Sequence, residues 1–124
     1  MRILLFCPTW SERGVQAIRP ETVECIKSLV QPEGVEVTVK ISDNNPYERT
    51  GDRRGDHENT LFQYQLAREL TLKGGYDYLF TVGHDMIVTN AALIIILEIN
   101  AGMDYGGVSF PQKHVILHVY RGVW

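Results

Sequence analysis

The chain has 124 residues, room for one core and not for two, and its 44% hydrophobic and 22% charged residues are the proportions of an ordinary soluble domain. Twelve Lys and Arg against 15 Asp and Glu leave a net charge of −3, which argues against a general nucleic-acid binder, since those carry a basic excess that neutralises phosphate. The longest apolar run, 91–97, falls far short of the roughly 20 residues that cross a bilayer, and 3–6 is too short for a secretory signal, so one cytoplasmic domain over 1–124 with no membrane span is expected.

The chain opens on the segment 2–7, apolar from Ile3 onward and closed by Pro8. A run apolar at every position predicts a strand buried on both faces, the habit of parallel sheets. Residues 9–19 read as a polar loop around Gly14. Pro20 suits a first helical turn, where its missing N–H costs nothing, and Glu21 and Glu24 stand near the positive end of the dipole. Val23, Ile26, Leu29 and Val30 mark one face of that helix, and Gln31-Pro32-Glu33-Gly34 ends it. Val35, Val37, Val39 and Ile41 alternate as a second, β-branched strand. Cys7 and Cys25 lack any CxxC or zinc-like spacing and read as two buried thiols.

Residues 42–57 hold Asp43, Asn44, Asn45, Pro46, Arg49, Asp52, Arg53, Arg54 and Asp56 with almost nothing apolar, and predict a long loop of functional character. Residues 59–73 predict a helix with Phe62, Leu66 and Leu70 on its apolar face and Gly74-Gly75 as its stop. The segment 76–82 predicts a third buried strand, which halts at Gly83 and delivers His84 and Asp85 to its carboxyl end. Asn90 reads as the N-cap of a helix running to Asn100 and ended by Gly102, apolar nearly all round over 91–97. Residues 105–111 predict a short strand, and 115–124 have strand composition.

This order implies an α/β fold with an open, mostly parallel sheet and helices on both faces. Ligands of such sheets sit at the carboxyl ends of the strands. Three polar stations fall there: Pro8-Thr9-Trp10-Ser11, Asp43-Asn44 and His84-Asp85. The first has neither the glycine spacing of a dinucleotide turn nor a Walker lysine, which argues against a glycine-rich pyrophosphate cradle.

Each candidate has a functional and a structural reading. Asp85 is either a carboxylate directed at metal or phosphate, or a cap on the following turn; His84 is a nitrogen ligand or a hydrogen-bonded imidazole. Asp43 can accept two hydrogen bonds from a base edge or ribose diol, or can shape the turn Ser-Asp-Asn-Asn-Pro. Trp10 can stack on a base or cover the sheet edge. Gly83 would let a ligand approach the backbone. Arg53 and Arg54 reach phosphate or are solvated, and His114 and His118 share one face of the tail by period two.

The stations, in this order, resemble the N-terminal half of the glycosyltransferase A fold, above all the family 2 glycosyltransferases, over about residues 3–113. In that family the first strand ends in a Pro-Thr-Tyr-Asn-like loop, matched by Pro8-Thr9-Trp10-Ser11. The second ends in an Asp that recognises base or ribose, matched by Asp43. An Ala-Arg-Asn-like triplet opens the next helix, matched at Asn59 alone. The metal-binding Asp-x-Asp station reads Gly83-His84-Asp85 here, without its first acid, and Asp104-Tyr105-Gly106-Gly107-Val108 looks like the strand that follows it. The resemblance implies a nucleotide site at Pro8, Thr9, Trp10, Asp43, Asn59 and His84, a divalent Mn²⁺ or Mg²⁺ at Asp85, and sugar transfer from a nucleotide-diphosphate sugar to an acceptor. It assigns no catalytic base. The rival expectation is a non-catalytic nucleotide-binding or oligomer-forming relic of the same fold. The apolar 91–99 helix and the tail also lead us to expect a homo-oligomer that meets through one of them.

Overall fold

The computed structural model describes residues 1–12, 15–47, 53–94, 105–109 and 116–121. In chain order the elements are β1 (Arg2–Pro8), β2 (Ser11–Glu12), β3 (Val15–Gln16), α1 (Pro20–Lys27), β4 (Glu36–Ser42), α2 (Arg53–Lys73), β5 (Tyr78–Thr81), β6 (Tyr105–Ser109) and β7 (Ile116–Arg121). Because β1 is apolar at every position from Ile3 to Cys7 it takes an inner place, flanked by β4 and β5, both parallel to it. The full order is β4-β1-β5-β7-β6.

The chain is therefore α/β, with a three-stranded parallel sheet at its heart. Ile3, Leu5 and Cys7 point to one face and pack with Ile26 of α1, Phe80, Val82 and Leu93. Leu4 and Phe6 point to the other and pack with Leu79 and with Ala67 of α2. Helices thus cover both faces. The parallel character stops at β5: β7 runs antiparallel to both β5 and β6. Only six residues, 110–115, join β6 to β7, and a parallel crossover needs about a dozen or more.

Several sequence expectations shift. The 9–19 loop carries a small antiparallel ladder, β2 with β3. Helix α1 begins at Pro20 as expected but ends at Lys27, which leaves Val30 exposed, while Thr22 is buried. The long polar loop is shorter than expected, because α2 starts at Arg53. Its first turns contain no apolar residue, so hydrophobic periodicity had nothing to register there. Thr89, not Asn90, caps the helical turn at 92–94: its hydroxyl accepts from the Ala91 N–H at 3.1 Å, while the Asn90 carbonyl accepts from Val30 N–H at 2.8 Å. The remainder of the expected 91–100 helix, Asp104, His114 and the final three residues lie outside the described residues. Among the described residues no helix is long and apolar enough to cross a membrane.

The carboxyl end of α2 is closed by a glycine. Gly75 takes φ +66° to turn the chain out of the helix, a conformation that disfavours any residue with a Cβ. Arg2 then ties the start of β5 to β1, its N–H donating to Asp77 Oδ2 at 2.8 Å and its guanidinium lying 4.5 Å over the Tyr76 ring. These contacts lie at the amino ends of the strands, opposite the candidate site.

Candidate functional site

The strand order reverses about β1, with β4 added on one side and β5 on the other. In open α/β sheets the crevice at the carboxyl ends beside such a reversal takes the ligand. A cleft of about 280 Å³ opens there, lined by Pro8, Thr9, Trp10, Asn45, Asn59, Thr60, Gln63 and His84. Three strand ends and one helix therefore build it, and five of the residues expected from the sequence (Pro8, Thr9, Trp10, Asn59 and His84) line it together.

Its wall is held by a hydrogen-bond network that ties α2 to the ends of β1 and β4. Gln63, buried in the middle of α2, donates from Nε2 to Ser42 O at 3.1 Å and to Asn45 Oδ1 at 3.2 Å, with a longer contact to Thr9 O at 3.5 Å. Asn45 donates in turn to Thr9 O at 2.9 Å and to Asp43 O at 3.2 Å. The Thr9 N–H continues the parallel ladder by donating to Ser42 O at 2.8 Å. Gln63 Oε1 is buried without a hydrogen-bond partner among the described residues. Asn59 has both amide groups engaged by one backbone unit, accepting from Tyr47 N–H and donating to Tyr47 O, each at 2.9 Å. Its side chain thus clamps the 42–47 segment over the helix. The Thr9 hydroxyl is likewise committed, donating to Ala17 O at 2.7 Å.

The opposite wall is aromatic. Trp10 and His84 meet edge to face, with ring centroids 4.4 Å apart and planes at 73°. The His84 carbonyl accepts from Arg19 N–H at 3.0 Å, which ties the end of β5 to the entry of α1. His84 and Asp85 occupy the corner of a turn closed by Met86 N–H to Gly83 O at 3.1 Å.

The two candidate acids stand apart from the lining: Asp43 and Asp85 are both exposed and neither lines the cleft. Asp85 nevertheless acts on the strand end beneath it. Burial first, and the Asp85 charge second, push the Cys7 thiol up to about 11. Cys7 and Cys25 are both free cysteines, Cys7 fully buried and Cys25 half-buried, so the first is no nucleophile at neutral pH.

The expectation that Gly83 opens the backbone to a ligand is corrected. The Met86 thioether occupies that space and accepts from Gly83 N–H at 3.1 Å. A Cβ on Gly83 would stand 3.2 Å from Met86 Cγ and Cε. The absent acid of the Asp-x-Asp station is thus replaced by a methionine packed over a glycine.

Among the described residues no three of His, Cys, Asp and Glu converge as a ready metal cage. A cation at Asp85 would take most of its shell from phosphate oxygens and water, a pattern that suits Mg²⁺, which needs only one or two protein carboxylates. The side chains of Arg53 and Arg54 lie outside the description, and His118 is placed only by register, opposite Thr81 at the carboxyl end of β5.

Sequence reasoning missed Gln63, Asn45 and Thr60. For Gln63 a signal existed: Asn59, Gln63, Ala67 and Thr71 recur at four-residue spacing and are all buried, while the expected apolar face, Phe62, Leu66 and Leu70, is only half-buried. Comparison with protein-family models, with curated proteins and with solved structures finds no match to this chain.

Proposed function

We propose that the cleft at the ends of β1, β4 and β5 binds a nucleotide-diphosphate sugar together with a divalent cation, and that the domain belongs to a sugar transferase of the glycosyltransferase A type. The observation that carries this reading is the convergence of Pro8-Thr9-Trp10 and His84 in one cleft at the reversal of strand order, with Asp43 and Asp85 exposed just beyond the carboxyl ends of β4 and β5. Trp10 offers an aromatic face for a base, Asp43 an acceptor pair for base or ribose, and Asp85 an anionic anchor for the cation. When bound, the cation would neutralise charge developing on the diphosphate leaving group. Asn59, Asn45 and Gln63 serve this site by holding its wall, since their amide N–H groups are already committed to backbone carbonyls.

A second reading, a nucleotide-binding domain without transferase activity, is favoured by Met86, which fills the space over Gly83. Calorimetry decides the shared part of both. Uridine or guanosine diphosphate is expected to bind in the presence of Mn²⁺, and Asp85→Ala to weaken that binding about tenfold while chelation of Mn²⁺ abolishes the difference between the two proteins. Equal affinity of the variant and the parent with Mn²⁺ present would remove Asp85 from the role. Release of nucleoside diphosphate from nucleotide sugars then separates the transferase from the binding domain.

A further inference from the structure

Strand β4 is one of the two outer strands of the sheet, seven residues long, and among the described residues no strand pairs with its free edge. Two bonds settle which backbone groups face outward. The Glu36 N–H donates to Met1 O and the Ser42 carbonyl accepts from Thr9 N–H, both at 2.8 Å, so the even-numbered residues bond to β1. In a parallel ladder the alternate residues then send their N–H and C=O the other way. Those residues are Val37, Val39 and Ile41.

The side chains divide in the same manner. Val37 and Ile41 pack on the α1 face, and Val39, opposite Leu5 in the register, points to that face yet is 46% exposed. Beside it runs an apolar groove of about 360 Å³, lined by Val23, Ile26, Leu29, Val37, Val39 and Ile41 among others. The other face of the strand carries Glu36, Thr38 and Lys40, with both charged residues exposed.

We propose that β4 pairs antiparallel with β4 of a second copy of this chain, about a two-fold axis at Thr38. This register alone sets Glu36 opposite the second copy's Lys40, and its symmetry mate sets Lys40 opposite the second copy's Glu36. Val37 then faces the second copy's Val39, and both are residues whose backbone groups point outward, as a hydrogen-bonded antiparallel position requires. A centre at Val37 or Val39 instead puts Lys40 opposite Gly34 or Thr38, and a centre at Lys40 brings two like charges face to face. Opposite charges and β-branched pairs directly across strands stabilise pairing, whereas like charges oppose it. With the axis normal to the sheet, both α1 helices lie on one side, and the exposed Val39 is covered by its neighbour's valine. The acid and the base four residues apart thus make one edge complementary to itself, which is what a two-fold interface demands. This inference is independent of the nucleotide reading.

The test is a charge swap read by sedimentation equilibrium. The parent chain is expected to dimerise at micromolar concentration. Glu36→Lys and Lys40→Glu are each expected to weaken the dimer about tenfold by setting like charges opposite each other. The double swap, Glu36→Lys with Lys40→Glu, restores it. Cross-linking reads the register itself. Residues facing each other at a non-hydrogen-bonded position have Cα atoms about 4.5 Å apart, within disulfide reach. In a Cys25→Ser background, Thr38→Cys is expected to form a disulfide dimer under mild oxidation, and Lys40→Cys to form little. A single-chain mass at all concentrations, a dimer indifferent to the charge variants, or equal cross-linking of the two cysteine variants would overturn the proposal.

Discussion

Met86 decides what position 83 can be. Its sulfur accepts the Gly83 N–H and its chain lies 3.2 Å from the site of a Cβ, so an acid restored at 83 would require the Met86 side chain to give by a few tenths of an ångström. Cys7 shows a comparable local control. Its thiol ionises at about 11 in the folded chain, against an ordinary value of 9.0, because of burial first and the Asp85 charge second. Between those values the unfolded chain gives up a proton that the folded chain keeps. The stability tied to this thiol is therefore whole below the unfolded value and is lost as pH rises through the folded one. Two pH units correspond to about 2–3 kcal/mol. Urea unfolding of the parent chain should lose that much more stability between pH 8 and pH 11 than Cys7→Ala loses; parallel pH profiles would show that Cys7 has no such role.

At the scale of one element, α2 packs on the sheet with a stripe that is polar or small. Ala67 and Thr71 allow close approach, the Thr71 hydroxyl donating to Ala67 O at 2.7 Å, while Gln63 and Asn59 secure the loop ends. The helix is thus a bracket for the cleft as much as a cover for the core. Gln63→Leu keeps the volume and removes the donor to Ser42 O and Asn45 Oδ1. Both Ser42 O and Thr9 O keep another donor, so the cost is expected to be about 1–2 kcal/mol, the worth of the lost hydrogen bonds and of one orphaned acceptor. Chemical denaturation measures it, and an unchanged midpoint would show the bracket to be dispensable.

Across the whole molecule, stability and function divide along the strands. Strand β1 is packed on both faces, and its carboxyl end opens into the cleft. Leu5, fully buried on this inner strand, is expected to cost 2–5 kcal/mol when changed to Ala, because the lost transfer energy adds to a cavity that close packing cannot fill. Val39 faces Leu5 across the ladder but stands on the open edge, and its change to Ala in the monomer is expected to cost less than about 1 kcal/mol. Urea midpoints of the two variants under monomeric conditions should differ accordingly. Similar losses would mean that the edge is as tightly packed as the centre.

The linear order of residues sufficed for the elements whose burial is written in their own composition. The apolar run 3–7 had to be an inner strand, Pro20 had to open a helix, and Gly74-Gly75 had to close one, because each follows from local sterics or from apolar surface that only a sheet with two covered faces can hide. The same order placed Pro8, Thr9, Trp10, Asn59 and His84 at strand or helix ends, and they do meet in one cleft. Tertiary contact alone decided the rest. Gln63 is polar because it bonds to carbonyls 21 and 54 residues away, a pairing that no periodicity encodes. The start of α2 carries no apolar mark, so hydrophobic periodicity could not locate it. The reversal of β7 arises from a connection too short to cross the sheet, and Asp43 and Asp85 are exposed outside the cleft lining although they follow the same strand ends. Local sequence states what a residue can bury; which partner satisfies a buried polar group depends on chain segments that only the fold brings together.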